Sequence, residues 1–301
     1  NDTCRLISNL LLHRHILAVG CTQVLRSFLE GNVIFRQLYM NPDRFKTEWL
    51  AYAMERTETG IKGFDELLSG GLPKGKCILV AGGPGSGKTI FAMQYLLNGA
   101  RKDERGLYIT LDERPDQVKN EMSSLGWNID KLESEGKILL LDATPLRKSR
   151  RSLPEVESYE YELGLSLPEL TLPSLIRTVQ KIVEEEGIQR IAVDPITSMI
   201  LRYHQLPKRR RAVLMFFDAL INTGCTSVVT SELRTGVLDR GFAVEEFLSQ
   251  GVILLHTLVH EGNVVKAIQI EKMRGIEHDT QLRPYRIGRD GIEVFPKDRV
   301  F

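Results

Sequence analysis

The chain has 301 residues, of which 42% are hydrophobic and 26% are charged, and its formal net charge is +1. This length is sufficient for one large domain or two small ones with a substantial buried core. The near-neutral charge argues against a generally basic coat for nucleic acid, although local basic patches stay compatible with one. The four cysteines, at positions 4, 21, 77 and 225, are far apart and lack metal-ligand spacing, which predicts reduced thiols and a cytoplasmic protein.

The first part of the chain, 1–53, is irregularly apolar and contains no motif that indicates chemistry. We interpret it as a separate extension: a small helical unit, a partner-docking arm, or a translated region upstream of a natural start at Met54. Its longest apolar run, 10–21, is short and interrupted by polar side chains, so no membrane-spanning helix is expected. His13 and His15 lie two positions apart and share no helical face, so we treat both as structural.

From position 55 onward, apolar strand-like runs alternate with amphipathic helical patterns, which predicts an α/β domain over 54–301. A polar connection at 145–170 is expected to be flexible or partly ordered. Two hairpins are expected near the C-terminus, with turns at 261–263 and 290–291. In chain order the predicted strands are 77–81, 106–111, 137–141, 190–194 and 226–230, and the predicted helices are 90–96, 115–126, 172–183 and 213–221.

A glycine-rich motif follows the first strand. Residues 82–89 read GGPGSGKT and fit the phosphate-binding pattern G-x-x-x-x-G-K-[ST]. The glycines let backbone N–H groups surround a polyphosphate at the start of a helix, while Lys88 reaches the β- and γ-phosphates and Thr89 offers a hydroxyl to Mg²⁺. A chance glycine-rich turn is the alternative, but the flanking strand and helix favour a nucleoside triphosphate site. The predicted nucleotide-binding residues are Gly82, Gly83, Pro84, Gly85, Ser86, Gly87, Lys88, Thr89 and Ile90.

Acidic residues follow two other predicted strands. Asp194 ends the strand 190–194, and ligands in parallel α/β sheets bind beyond the carboxyl ends of strands, so Asp194 is predicted to hold the metal through a bound water. A helix cap or loop carboxylate is the alternative. Asp112 and Glu113 follow the strand 106–111 and are candidates to polarise an attacking water, or else a solvated acidic loop. The predicted metal-site residues are Thr89, Asp194 and Glu113.

Several separated motifs resemble, in the same order, those of a KaiC-type domain in the RecA-like ATPase superfamily. The resemblance covers about 55–296 and implies a RecA-like core, a mostly parallel sheet flanked by helices with antiparallel C-terminal strands. It also implies ATP, with Mg²⁺, as the nucleotide. The motifs are TGIKGFDELL at 59–68, GGLPKG at 70–75, YITLDE at 108–113, SLGW at 124–127, VEEF at 244–247 and KMRG at 272–275.

The resemblance also implies roles for particular residues. An acidic pair that activates the nucleophile in the family corresponds to Asp112 and Glu113, and Asp112 departs from the usual glutamate. A Lys-x-Arg pair that reaches the γ-phosphate held by a neighbouring subunit corresponds to Lys272 and Arg274. The resemblance therefore implies that the subunits assemble into a ring, with a hexamer as the expected form. Without the resemblance, these two cations would be interpreted as an exposed basic strand edge. Further residues that the resemblance places beside the nucleotide are Ser124, Met273 and His278.

Three functions stay open at this point. The first is a ring-forming ATPase that signals to an unknown protein partner. The second is a RecA-like module that binds single-stranded DNA through the basic clusters 147–151 and 208–211, although such runs are usually solvated. The third is a nucleotide sensor that phosphorylates itself weakly. Circadian timing is not inferred, because the chain has one such domain and the loop 233–240 lacks an adjacent Ser-Thr pair.

Overall fold

The structure is a computed structural model that describes residues 55–148, 171–233, 243–260 and 262–300. The expectations for 1–53 concern residues outside this set, and so do most of those for 145–170 and 233–240. In the described part of the chain, no helix is both long and apolar enough to cross a membrane. Cys77 and Cys225 are described, and both are buried free thiols, as the sequence predicts.

The described residues alternate strands and helices in the expected order, and a 3-10 helix spans Asp65–Leu68. The strands are β1 (Arg56–Thr57), β2 (Leu72–Pro73), β3 (Cys77–Gly82), β4 (Gly106–Thr110), β5 (Ile138–Asp142), β6 (Arg190–Asp194), β7 (Thr226–Glu232), β8 (Gly251–His260), β9 (Asn263–Met273), β10 (Arg283–Gly288) and β11 (Gly291–Val294). The helices are α1 (Lys88–Arg101), α2 (Pro115–Ser124), α3 (Ile129–Ser134), α4 (Pro145–Lys148), α5 (Leu172–Glu186), α6 (Thr197–Ile200), α7 (Leu206–Asn222) and α8 (Val244–Leu248).

Nine of the described strands form one sheet in the order β11-β10-β9-β8-β3-β7-β6-β4-β5. The six strands from β8 to β5 run parallel, whereas β9, β10 and β11 extend the sheet with antiparallel pairs. Every residue of β3 is buried, because helices cover both faces of the parallel part. The sheet is therefore mostly parallel with antiparallel C-terminal strands, as predicted.

The core lies in two layers, one on each face of the sheet. One layer packs α1, α2 and α3 against the sheet through side chains such as Phe91 and Met122. The other packs α5, α6 and α7 through side chains such as Val179 and Phe216. The carboxyl ends of the parallel strands consequently meet at one open edge, where ligands bind in such sheets.

Some element boundaries differ from the sequence-based expectation. Helix α7 begins at Leu206 rather than near Val213, because Pro207 supplies a favourable first turn before the apolar spacing becomes evident. The last hairpin turns at Arg289 and Asp290, since Gly288 pairs with Gly291. The short elements β1, β2, α3, α6 and α8 were not predicted, because two to six residues carry too little periodicity.

A buried arginine fixes how closely α1 approaches the sheet. Arg190 is 1% exposed and donates to Glu104 and to the carbonyl oxygens of Glu58 and Tyr95. A Cβ at Gly99 in α1 would lie 2.5 Å from Cδ of Arg190. Because its hydrogen bonds hold this arginine in place, it has no room to move away.

We therefore expect Gly99→Ala to destabilise the protein by about 1–3 kcal/mol through overpacking, in spite of the better helix propensity of alanine. Urea unfolding, with the midpoint and slope compared to those of the wild type, measures this effect. Gly288→Ala is the matched control, because a Cβ there meets no atom within 4 Å. Equal midpoints for the two variants would contradict the expectation.

Candidate functional site: a nucleotide pocket at the carboxyl edge of the sheet

The glycine-rich motif connects the end of β3 to the start of α1, so it lies at the ligand-binding edge of the sheet. Gly87 adopts φ 94°, which favours glycine, and a Cβ there would lie 2.8 Å from Cδ1 of Ile287. Helix α1 begins at the next residue, Lys88. The motif therefore presents backbone N–H groups at a helix N-terminus, the arrangement that binds phosphate.

Two side chains from the C-terminal strands hold this loop in place. The hydroxyl of Tyr285 donates to the carbonyl oxygen of Ser86 at 2.6 Å. Nζ of Lys266 donates to the carbonyl oxygen of Gly85 at 2.6 Å. The antiparallel extension of the sheet thus supports the phosphate loop directly. Neither contact was predicted from the sequence, because a strand tyrosine and a strand lysine have no spacing that points to a distant loop.

Lys88 lies over the loop that precedes it. Its Nζ donates to the carbonyl oxygens of Gly82 and Gly83, both at 3.0 Å. Burial lowers the pKa of Lys88, and the nearby carboxylates of Asp194 and Glu232 act in the opposite direction. An ammonium group held at a half-buried position beside the loop is suited to bind the β- and γ-phosphates of a nucleotide.

Asp194 ends β6 at the same edge, and its carboxylate accepts three hydroxyl hydrogen bonds. Oδ2 accepts from Thr89 of the loop and from Tyr108 of β4, each at 2.7 Å. Oδ1 accepts from Thr230 of β7. Burial, followed by the charge of Asp194, raises the pKa of Tyr108 well above its usual range, so its hydroxyl stays protonated. The sequence predicts that Asp194 lies beside the phosphate loop, and its contact with Thr89 agrees with that placement.

The donor set fits a magnesium ion. The hydroxyl of Thr89 and the carboxylates of Asp194 and Glu113 are hard oxygen donors, which Mg²⁺ prefers. In the described part of the chain, no cluster of three or more His, Cys, Asp or Glu residues could hold a metal without help. Mg²⁺ is usually held by one or two carboxylates together with substrate phosphates and water.

Glu113 and Asp112 follow β4, which lies next to β6 in the sheet. The hydroxyl of Thr110 donates to the backbone carbonyl of Glu113 and fixes the turn. Burial raises the pKa of the Glu113 carboxyl, and the charges of Glu121, Asp194 and Asp112 raise it further. A carboxylate whose pKa is raised, and which lies near Asp194, is suited to act as a general base.

Lys272 and Arg274 lie near the amino ends of the parallel strands, whereas the phosphate loop lies at their carboxyl ends. Lys272 pairs with Val252 of β8, and Val252 pairs with Leu79 of β3. The phosphate loop begins at Gly82, three residues and roughly 10 Å further along β3, and Arg274 lies two residues beyond Lys272 in the opposite direction. These two cations are therefore well separated from the loop of their own chain.

The end of the short helix α8 holds both cations. Nζ of Lys272 donates to the carbonyl oxygen of Glu246 at 2.7 Å, and Arg274 donates to that of Phe247 at 3.3 Å. Burial and the neighbouring charge of Arg274 lower the pKa of Lys272, while Glu246 acts in the opposite direction. Phe247 itself is 55% exposed. Two cations and an exposed aromatic ring thus share one surface.

The remaining predicted residues are distributed around these two edges. Ile90 is half-buried in the first turn of α1. Ser124 ends α2, and its hydroxyl donates to the carbonyl oxygen of Glu121 at 2.6 Å. Met273 is buried in the core, so its side chain faces away from solvent. His278 is half-buried, with Nδ1 at 3.4 Å from the carbonyl oxygen of Ile276.

The basic cluster 208–211 lies in the first turns of α7. Arg209 is half-buried and donates to the carbonyl oxygen of Tyr203, whereas the other three side chains are exposed. The second cluster, 147–151, lies mostly outside the described residues.

Comparison with known proteins identifies the group to which this arrangement belongs. The family model described as "ATPase: KaiC" matches residues 57–299. The chain belongs to the KaiC ATPase family. The resemblance noted in the motifs is thereby confirmed, and family membership implies nucleotide binding.

Relatives of the same family cover most of the chain. A UPF0273 protein of Thermotoga maritima is 32% identical over 249 residues, which are 81% of this chain and 98% of that protein. A UPF0273 protein of Aeropyrum pernix is 33% identical over 81% of this chain and 94% of its own length. The circadian clock oscillator protein KaiC of Parathermosynechococcus lividus is 34% identical over 80% of this chain, but the match spans only 42% of that protein.

A solved structure confirms the RecA-like fold expected for a KaiC-family domain. The crystal structure of a KaiC-like protein from Pyrococcus horikoshii superimposes with a TM-score of 0.67 and is 33% identical. The match covers 80% of this chain and 99% of the other. This KaiC-family chain thus corresponds to nearly the whole of that protein.

Proposed function

We propose that this protein is a Mg²⁺-dependent ATPase that assembles into a ring, with each active site completed by a neighbouring subunit. The observation that carries this proposal is the separation of Lys272 and Arg274 from their own phosphate loop along β3. Cations placed at one edge of the sheet can serve a nucleotide at the opposite edge only if a second copy brings them there. Membership of the KaiC ATPase family supports hydrolysis as the reaction.

Different residues bind the phosphates, hold the metal, activate water and stabilise the developing charge. Backbone N–H groups of the loop and Lys88 hold the phosphates, and Thr89 and Asp194 hold Mg²⁺, which neutralises charge on the phosphates when bound. Glu113 orients the attacking water and accepts its proton. Lys272 and Arg274 of a neighbouring copy stabilise the charge that develops on the transferred phosphoryl group. Asp112 shares this edge and is the alternative base.

We place this activity in the cytoplasm and assign it a regulatory role, in which hydrolysis changes subunit packing and signals to a protein partner. The buried free thiols are compatible with a reducing compartment. A relative is named as a circadian clock oscillator, but it is more than twice as long as the matched segment, so we do not extend timing to this chain.

The proposal predicts that Lys88→Ala lowers kcat for ATP hydrolysis by at least about a hundredfold, because one charge-stabilising donor is removed. Steady-state phosphate release measures the effect. Lys102→Ala is the matched control, since this lysine follows the same helix and, among the described residues, its side chain forms an exposed ion pair with Glu58. Molecular mass in solution, determined with and without ATP and Mg²⁺, tests assembly. A wild-type protein that stays monomeric and binds no ATP would refute the proposal.

A further inference from the structure

The carboxylate of Asp194 is held from both sides by the strands that flank β6. Strand β7 lies on one side, where Thr230 follows the paired residues Val193 and Val229 and stands level with Asp194. Strand β4 lies on the other side, where Thr110 pairs with Asp194 and Tyr108 lies two residues earlier on the same face. The length of the tyrosine side chain brings its hydroxyl to within 2.7 Å of Oδ2.

These contacts determine how much hydrogen-bonding capacity Asp194 has left. An ionised carboxylate offers about four acceptor positions on its two oxygens. Thr89 and Tyr108 occupy both positions on Oδ2, and Thr230 occupies one on Oδ1. Considering the described residues, one acceptor position is left, and it lies on Oδ1.

We infer that Tyr108 is a positioning residue for magnesium: together with Thr230, its hydroxyl fixes the Asp194 carboxylate so that Oδ1 accepts from a water of the magnesium hydration shell. The inference rests on the proposed function and adds a residue that the phosphate-loop pattern does not contain. Mg²⁺ usually keeps several of its waters, and one such water suits the single acceptor position that is left on Oδ1.

The test compares Tyr108→Phe with Tyr95→Phe. Tyr95 is the matched control, because its hydroxyl is equally buried and donates at 2.8 Å to the carbonyl oxygen of Thr226, away from Asp194. ATP binding is measured by titration calorimetry, first in EDTA and then across a series of Mg²⁺ concentrations. Thr230→Val, which removes the hydroxyl that donates to Oδ1 of Asp194, serves as a second variant.

We expect Tyr108→Phe to raise the Mg²⁺ concentration for half-maximal enhancement of ATP binding by roughly tenfold, the effect of losing one hydrogen bond to a charged group. Its ATP affinity in EDTA should match that of the wild type, and Thr230→Val should change in the same direction. The Tyr95→Phe variant should be unchanged in both measurements.

Three results would overturn the inference. The first is a wild-type Mg²⁺ dependence in Tyr108→Phe. The second is a parallel loss of affinity in EDTA and in Mg²⁺, which would indicate a purely structural role. The third is failure of the wild-type protein to bind ATP under either condition, which would overturn the proposed function as well. The first two results leave the proposed function standing.

Discussion

Replacing Arg274 by alanine is expected to lower kcat for ATP hydrolysis by roughly 10³- to 10⁵-fold, the range observed when an arginine that stabilises the transition state is supplied or removed. The phosphate loop of each chain remains intact, so the affinity for ATP should change little. Among the described residues, the Arg274 side chain donates to the carbonyl oxygen of Phe247 in an exposed contact, so stability should also be largely preserved. Steady-state phosphate release and equilibrium ATP binding measure the two effects separately.

A mixing experiment tests whether Arg274 acts between subunits. A Lys88→Ala subunit has lost its own nucleotide site but still offers Arg274 to a neighbour, whereas an Arg274→Ala subunit has the reverse defect. Mixed assemblies of the two inactive variants should therefore regain activity. Arg105→Ala, which removes an exposed arginine paired with Glu186, is the control for a general loss of charge. Full activity of assembled Arg274→Ala, or no recovery on mixing, would show that the assignment is wrong.

Glu113→Gln is expected to lower kcat by roughly 10²- to 10⁴-fold, the usual contribution of a general base, without loss of ATP binding. The amide is close in shape to the carboxylate but cannot accept the proton of the attacking water. Single-turnover hydrolysis with ATP already bound measures the chemical step. Asp112→Asn is the matched control at the neighbouring position. A larger defect in Asp112→Asn than in Glu113→Gln would transfer the role of base to Asp112.

The pH profile provides a second measure of the same residue. Burial, together with the charges of Glu121, Asp194 and Asp112, raises the pKa of Glu113 above its usual value. A base acts in its deprotonated form, so activity should be full above this pKa and should fall as the pH decreases through it. The fall should therefore begin at a higher pH than for an ordinary glutamate. This limb of the profile should be absent from the residual activity of Glu113→Gln.

Much of the fold could be predicted because its signals are local. The run of apolar residues in β3, the glycines after it and the acidic residue at the end of β6 each have a physical reason to stand where they do. The order of strands in the sheet could not be predicted, because β3 pairs with β7 and β8, which lie far away in the sequence. The local pattern of apolar residues predicts that a strand forms, but it does not indicate which distant strand pairs with it.

The candidate site was predictable to a similar degree. Asp194 was expected to lie beside the phosphate loop, and its hydrogen bond with Thr89 of that loop joins residues 105 positions apart. Tyr108 was missed, since a tyrosine inside an apolar strand resembles a core residue until its hydroxyl is seen to reach a carboxylate. Lys266 and Tyr285 were missed because residues within a strand have no spacing that points to a distant loop. Lys272 and Arg274 were found through the motif alone, because their spacing indicates no more than an exposed basic strand.

The placement of the two cations at the edge opposite the phosphate loop has a geometric consequence for assembly. A contact in which the Lys272 and Arg274 surface of one subunit meets the phosphate-loop surface of the next is head-to-tail, because it uses two different surfaces. Such contacts either close after a fixed number of copies or continue into an open helical filament, depending only on the rotation from one copy to the next. An open filament would leave one terminal nucleotide without its cations. In a closed ring, every nucleotide is completed by the cations of a neighbouring subunit.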